Sequence, residues 1–158
     1  MLFRSKVVAD SNGAWGYTLT KTDYKVLGQG NVIAKVTATD VLGNVNKNVA
    51  PTTFTIDTVS PTATITLNDT ALQIGEAATV TITFSEAVNG FTLDNLTAAN
   101  GVLSNLSNAT TNANGSVTYT ATFTPTQNIE DTSNVVTLNA SYTDHAGNVG
   151  NKIGRAHV

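Results

Sequence analysis

Cysteine is absent from this chain of 158 residues, so disulfides and thiolate metal sites are excluded. Aromatic residues make up only 6% and charged residues only 12%, which leaves Thr, Asn and Ser to build most of the polar surface. No stretch approaches the roughly 18 consecutive apolar residues of a membrane-spanning helix. Between residues 48 and 151 there is no Lys or Arg at all, while Asp57, Asp69, Glu76, Glu86, Asp94, Glu130, Asp131 and Asp144 fall within that span. A segment with eight carboxylates and no internal cation repels polyanions, which excludes nucleic acid as a partner. It gains from a divalent cation if carboxylates converge; a solvated acidic surface is the competing reading. Residues 1–47 have the opposite balance, with Arg4, Lys6, Lys21, Lys25, Lys35 and Lys47 against Asp10, Asp23 and Asp40.

What is present is alternation. Val32, Ala34, Val36 and Ala38 alternate with other residues before Thr39-Asp40-Val41-Leu42-Gly43-Asn44. Val136, Leu138, Ala140 and Tyr142 do the same before Thr143-Asp144-His145-Ala146-Gly147-Asn148. The two Asp-x-x-Gly-Asn cores lie 104 residues apart (144 − 40). A period-two run entering a Gly-containing turn is a strand entering a hairpin, and its recurrence means two copies of one β module. Period-two runs recur at Ala63–Leu67, Val80–Phe84 and Val117–Phe123, with Phe91 and Leu93 opening another strand and Leu103 and Leu106 in a weaker one. Residues 5–20 read as a hairpin about Asp10-Ser11-Asn12-Gly13, residues 22–30 as a connection with Tyr24 and Leu27 tucked under the sheet, and Val45–Ile56 as a return strand with Pro51 at an edge or bulge. No segment sustains a 3.6-residue apolar period, so helix is expected to be minor. Short strands at this spacing predict an all-β sandwich or barrel.

Thr83-Phe84-Ser85-Glu86-Ala87-Val88, Phe91-Thr92-Leu93-Asp94-Asn95-Leu96, Tyr119–Pro125 and Tyr142–Asn148 closely resemble the bacterial immunoglobulin-like repeat domains of large extracellular surface adhesins and biofilm-associated proteins. The linker Ile56-Asp57-Thr58-Val59-Ser60-Pro61 resembles the Asp-Thr-x-x-Pro joints between such repeats. The resemblance covers nearly all of residues 57–150, and residues 7–56 resemble the C-terminal half of a related repeat. It implies tandem immunoglobulin-like β-sandwich repeats, with residues 1–56 the C-terminal part of one, lacking its N-terminal strands, and 57–152 a nearly complete second one lacking most of its last strand. Residues 153–158 fit no repeat and read as a non-native tail. The resemblance implies a stalk repeat of a bacterial cell-surface or secreted adhesin, supporting cell adhesion or biofilm formation. Its partners are the neighbouring immunoglobulin-like repeats of the same chain. Residues Met1–Lys6 lack the apolar run of a signal peptide, so the chain is expected to be an internal piece of a longer secreted protein, extracellular or on the cell surface, with no membrane insertion by this segment. A carbohydrate- or ligand-binding accessory module of a secreted enzyme is the alternative; a row of exposed aromatics on one sheet would favour it.

Many members of the resembled family bind Ca2+ between repeats. In that fold the second-to-third and sixth-to-seventh strand loops share the end at which the chain enters. Glu86 falls in the first loop, Asp144 in the second and Asp57 in the entering linker, which makes Asp57, Glu86 and Asp144 the expected ligands of a Ca2+ ion wanting six to eight oxygens. Asp40 holds the equivalent place in the first repeat. For Asp40 and Asp144 an Asx cap of the turn is an equal reading, with Gly43 and Gly147 at positive φ; for Glu86 it is an exposed loop carboxylate. No catalytic role is expected. His145 is a lone turn histidine, and no Gly-rich phosphate loop, His-x-x-x-His pair or nucleophile elbow occurs.

Overall fold

The computed structural model describes residues 5–46, 49–129 and 134–157, with side chains as far as Ile153. It divides into two compact units, Met1–Thr58 and Val59–Val158. Strands dominate and helix is slight, so the protein is all-β. No helix among the described residues is long and apolar enough to cross a membrane.

The second unit is built by alternation. Strands β5 (Ala63–Leu67), β6 (Ala78–Phe84), β8 (Gly101–Ser104) and β10 (Val117–Pro125) form one antiparallel sheet in the order β5-β6-β10-β8, and the two-residue β9 (Thr110–Thr111) also pairs with β10. Strands β7 (Leu96–Ala98), β11 (Val135–Leu138) and β12 (Ile153–His157) form a second sheet in the order β12-β11-β7. Along β6, Ala78, Val80, Ile82 and Phe84 are buried and Thr79 is exposed, because successive side chains leave a pleated strand on opposite faces. In register, Val80 faces Ala121, Ile82 faces Tyr119 and Phe84 faces Val117. Leu96, Val136 and Leu138 supply the core from the other sheet, and Tyr142 closes it. Phe84 sits edge-on to Phe91, Tyr119 and Tyr142, with ring centroids 4.9, 5.8 and 4.9 Å away, the geometry that aromatic quadrupoles favour.

Three sequence expectations change here. Phe91 and Leu93 do not open a strand: Leu93–Asn95 is a 3-10 turn and pairing starts at Leu96. The buried Asn95 side chain takes hydrogen bonds from the Thr92 amide and hydroxyl, and that local closure outcompetes extension. Strand β11 ends at Leu138 and leaves Ala140 exposed, where the Asn139 amide donates to the Asn95 carbonyl. The last strand is also present. Ile153–His157 pairs with β11, and Ile153 packs on the core, because the outer edge of β11 needs only a backbone partner and one apolar anchor to seat it.

The first unit is sparser. Strand β1 (Gly30–Ala34) pairs with β4 (Thr52–Ile56), and the two-residue strands β2 (Ala38–Thr39) and β3 (Val45–Asn46) pair with each other. Ile56 is its one fully buried hydrophobic among the described residues. The turn at Asp10–Gly13 forms, with the Asp10 amide donating to the Ala14 carbonyl at 2.8 Å, but no strand flanks it. The expected connection contains a short helix, α1 (Lys21–Leu27), started by a capping box in which the Thr20 hydroxyl accepts from the Asp23 amide and the Asp23 carboxylate accepts from the Thr20 amide. Tyr24 is exposed rather than tucked under the sheet. The expected return strand Val45–Ile56 is broken, and its residues 47–48, like Glu130 and Asp131, lie outside the described residues.

Candidate functional site

Each Asp-x-x-Gly-Asn core folds on itself. In the second unit the Asp144 amide donates to the Asn148 carbonyl at 3.1 Å, and the Gly147 amide returns to the Asp144 carbonyl at 3.4 Å. Asp144 Oδ1 accepts from the Asn148 amide at 2.8 Å and Oδ2 from Asn148 Nδ2 at 2.7 Å. Gly147 has φ of 91°, a conformation that costs glycine nothing and other residues a steric clash. In the first unit the Asp40 amide donates to Asn44 at 3.0 Å, Asp40 Oδ1 accepts from the Asn44 amide at 2.8 Å and Oδ2 from Asn44 Nδ2 at 2.7 Å, and Gly43 has φ of 86°. Thr143 bridges Val149 as Thr39 pairs with Val45, positions that again differ by 104 (143 − 39 and 149 − 45). The Asx cap is therefore real at both aspartates.

Around Asp144 the second unit adds a second loop. Asn89 pairs with Thr143 through amides at 2.7 and 3.1 Å, and Asn89 Nδ2 donates to the Asp144 carbonyl at 3.2 Å. The incoming chain is tied to the same loop: the Ser85 amide donates to the Thr62 carbonyl at 2.8 Å and the Thr62 amide to Ser85 Oγ at 3.0 Å. Asn148 Nδ2 also reaches the Val59 carbonyl at 3.4 Å. These bonds place Glu86, half-buried, beside Asp144, fully buried, with carboxylate oxygens within 4.8 Å of one another. Burial pushes the Asp144 carboxyl up, but donation from the Asn148 side chain and from the amides of Asn148, Gly147 and Ala146 outweighs it and holds the group below the ordinary aspartate range. The exposed Asp40 is held low in the same way, chiefly by the Asn44 side chain and amide.

The structure thus brings two of the expected ligands, Glu86 and Asp144, together within the second unit. Asp57 belongs to the first unit, where its Oδ1 accepts from Gln29 Nε2 at 3.1 Å and the neighbouring Thr58 amide and hydroxyl both donate to Gln29 Oε1 at 2.9 Å. Asp40 stands in its own turn, in a different unit from Glu86. His145 is exposed. The donor set suits a hard cation: two carboxylates, with no Lys or Arg between residues 48 and 151. Sequence reading missed the part played by Asn44, Asn148 and Asn89. The final Asn of each motif was a legible signal, since an asparagine four residues beyond an Asx cap can donate to the free carboxylate oxygen. Asn89 carries no such signal, because its partner lies 55 residues away.

A family model described as a bacterial Ig-like domain matches residues 57–157. No curated protein and no solved structure matches the chain significantly.

Proposed function

The chain belongs to the bacterial Ig-like domain family, a typically non-catalytic structural domain of bacterial surface and extracellular proteins, and on that premise we propose that it is a stalk segment of a cell-surface or secreted adhesin. In this reading it supports cell adhesion or biofilm formation by holding a distal binding domain away from the cell, and its two units are successive modules of one repeat. The observation that carries the repeat is the pair of turns at Asp40 and Asp144, which share the Asp-x-x-Gly-Asn motif, a glycine at positive φ (86° and 91°) and the same hydrogen-bond pattern. The absence of Lys and Arg over residues 48–151 and the adjacency of Glu86 and Asp144 favour Ca2+ as a stiffening ligand. Asp57 is the third ligand expected from sequence, and Asp40 would serve a neighbouring module in the same manner.

A spacer is replaceable and a binder is not. Exchanging residues 59–152 for an unrelated immunoglobulin-like module of equal length in the surface-displayed protein should leave adhesion within about twofold, and the purified chain should bind no glycan on an array. Loss of adhesion on exchange, or saturable glycan binding, would overturn the stalk reading.

A further inference from the structure

Asparagine is followed by glycine at Asn12-Gly13, Asn89-Gly90, Asn100-Gly101 and Asn114-Gly115. Such a pair can react with itself, because the glycine nitrogen can close a ring on the asparagine side-chain carbon and no Cβ obstructs it. The structure ties down three of these pairs. The Gly13 amide donates to the Asp10 carbonyl and the Gly115 amide to the Asn112 carbonyl, each at 3.0 Å. Asn114 Oδ1 also accepts from the Ser116 amide and hydroxyl at 3.1 and 2.7 Å. The Asn100 side chain donates to Asn134 Oδ1 at 2.8 Å and the Asn100 carbonyl accepts from the Thr126 amide at 2.8 Å, while a Cβ on Gly101 would run into the Phe123 ring. Asn89-Gly90 differs at the attacking atom. Asn89 is held by its amide and carbonyl on Thr143, at 2.7 and 3.1 Å, and by Nδ2 on the Asp144 carbonyl at 3.2 Å. The Gly90 nitrogen has no hydrogen-bond partner among the described residues. Both residues are exposed, and a Cβ on Gly90 would meet only the Ser141 carbonyl oxygen, at 3.8 Å, so the N–H is open to water and uncrowded.

We propose that Asn89 is a deamidation site, and that its conversion unfastens the loop bearing Glu86 and Asn89 from the Asp144 turn. The Gly90 nitrogen gives its proton to hydroxide and bonds to Asn89 Cγ. The Cγ–Nδ2 bond breaks, Nδ2 leaves as ammonia, and a cyclic imide remains. Water then opens the imide at either carbonyl, to aspartate or to isoaspartate, in which the main chain runs through the former side chain. Water is the only co-reactant and nothing is oxidised or reduced. Both products lose the Nδ2 donor and set a carboxylate against the Asp144 carbonyl that it had bonded. Isoaspartate also turns the carbonyl that accepts from Thr143 into a free carboxylate and lengthens the main chain by a methylene. The added negative charge falls beside Glu86 and Asp144, in a span with no Lys or Arg to offset it. The step is irreversible, so it acts as a timer on the contact between the two loops.

The test ages the full chain at mildly alkaline pH and follows each asparagine by peptide mass, with an isoaspartyl methyltransferase to mark the isoaspartate. Within the folded second unit Asn89 should convert about fivefold or more faster than Asn100 and Asn114, whose bonds must open first. In urea the three should converge, because only the chemistry of the pair is then left. Exchange protection of the Thr143 amide, which donates to the Asn89 carbonyl, should fall in step with the mass change at Asn89. Asn89→Gln, whose longer side chain cyclises poorly, should keep that protection over the same period. Asn100 or Asn114 converting as fast as Asn89 in the folded chain, a difference that persists in urea, or Thr143 protection that survives conversion of Asn89 each overturns the proposal.

Discussion

The turns at Asp40 and Asp144 share motif, dihedral angles and hydrogen-bond lengths to within a few tenths of an ångström, yet their surroundings differ completely. Asp144 is 1% exposed and follows the buried Tyr142, whereas Val41 and Leu42 beside Asp40 lie in open solvent. Five residues are enough to close the turn, because every donor and acceptor in it is local. Burying it takes partners that are distant in sequence: Asn89, Phe84 and the sheets that carry them. The turn is a local instruction executed twice, and its burial is a non-local property that the second unit displays.

The largest test of that contrast is Phe84→Ala. Phe84 is fully buried and touches three rings, so the substitution should cost the second unit about 3–5 kcal/mol. Urea unfolding followed by circular dichroism measures it. Trp15 emission reports the first unit and should stay where it is in water if the two units unfold independently; a change there would couple them.

Gly150→Ala comes next. A Cβ at Gly150 would lie 2.0 Å from the buried Tyr142 ring, which has nowhere to go, so a loss of about 1–3 kcal/mol is expected. The equivalent pair in the first unit is Ala38 and Asn46, direct partners across β2 and β3. There the small Ala38 leaves space for a side chain, and Asn46→Ala should stay within about 0.5 kcal/mol, as surface changes do. Equal effects at both positions would end the equivalence of the two hairpins.

What was legible in the sequence follows the same division. The alternations of Ala63–Leu67, Val80–Phe84 and Val117–Phe123 gave strands, because period two has one structural meaning when Thr and Val supply it. The Asp-x-x-Gly-Asn turns were legible for their local chemistry. The 3-10 turn at Leu93–Asn95 was not, because alternation there competes with an asparagine that closes on Thr92. Helix α1 is too short to show an apolar period, and only its Thr20-x-x-Asp23 box marks it. The hairpin read into residues 5–20 has its turn but not its strands, since strands at that place in the second unit rest on β6 and β8. Residues 153–157 read as a tail outside the repeat, yet they pair with β11 and lie within the family match.

Acid should separate the two aspartates. The folded state holds the Asp144 carboxyl below its ordinary value, so the unfolded chain binds the proton more readily. The associated stability is fully present above the unfolded value of about 3.9 and is lost as pH falls through the depressed one. The second unit's melting temperature should fall below about pH 4, and Asp144→Asn should flatten that acid limb. Asp40→Asn should leave it unchanged, although Asp40 is also held low, because it stabilises a different unit. An acid limb equally sensitive to both substitutions would show that the units melt as one.

The smallest expected effect is that of Ca2+. Glu86 and Asp144 approach within 4.8 Å, and the segment that holds them offers no cation of its own. A bound ion would replace mutual repulsion by attraction on both. Extracellular Ca2+ modules dissociate at about 0.1–1 mM, so about 1 mM free ion adds roughly 0.4–1.4 kcal/mol, from RT times the logarithm of one plus the ratio of concentration to dissociation constant. Calorimetry of the full chain in Ca2+ and in chelator should therefore show a rise of only a few degrees for the second unit. Glu86→Gln should remove the rise, because it takes away one of the two converging carboxylates. Asp57→Ala asks whether the ion reaches beyond the second unit: a smaller rise makes Asp57 a ligand, and an unchanged one confines the site to Glu86 and Asp144. Identical melting with Ca2+ and with chelator in the wild type would remove the cation from the stalk and leave the two carboxylates held together by the turn and the Asn89 loop alone.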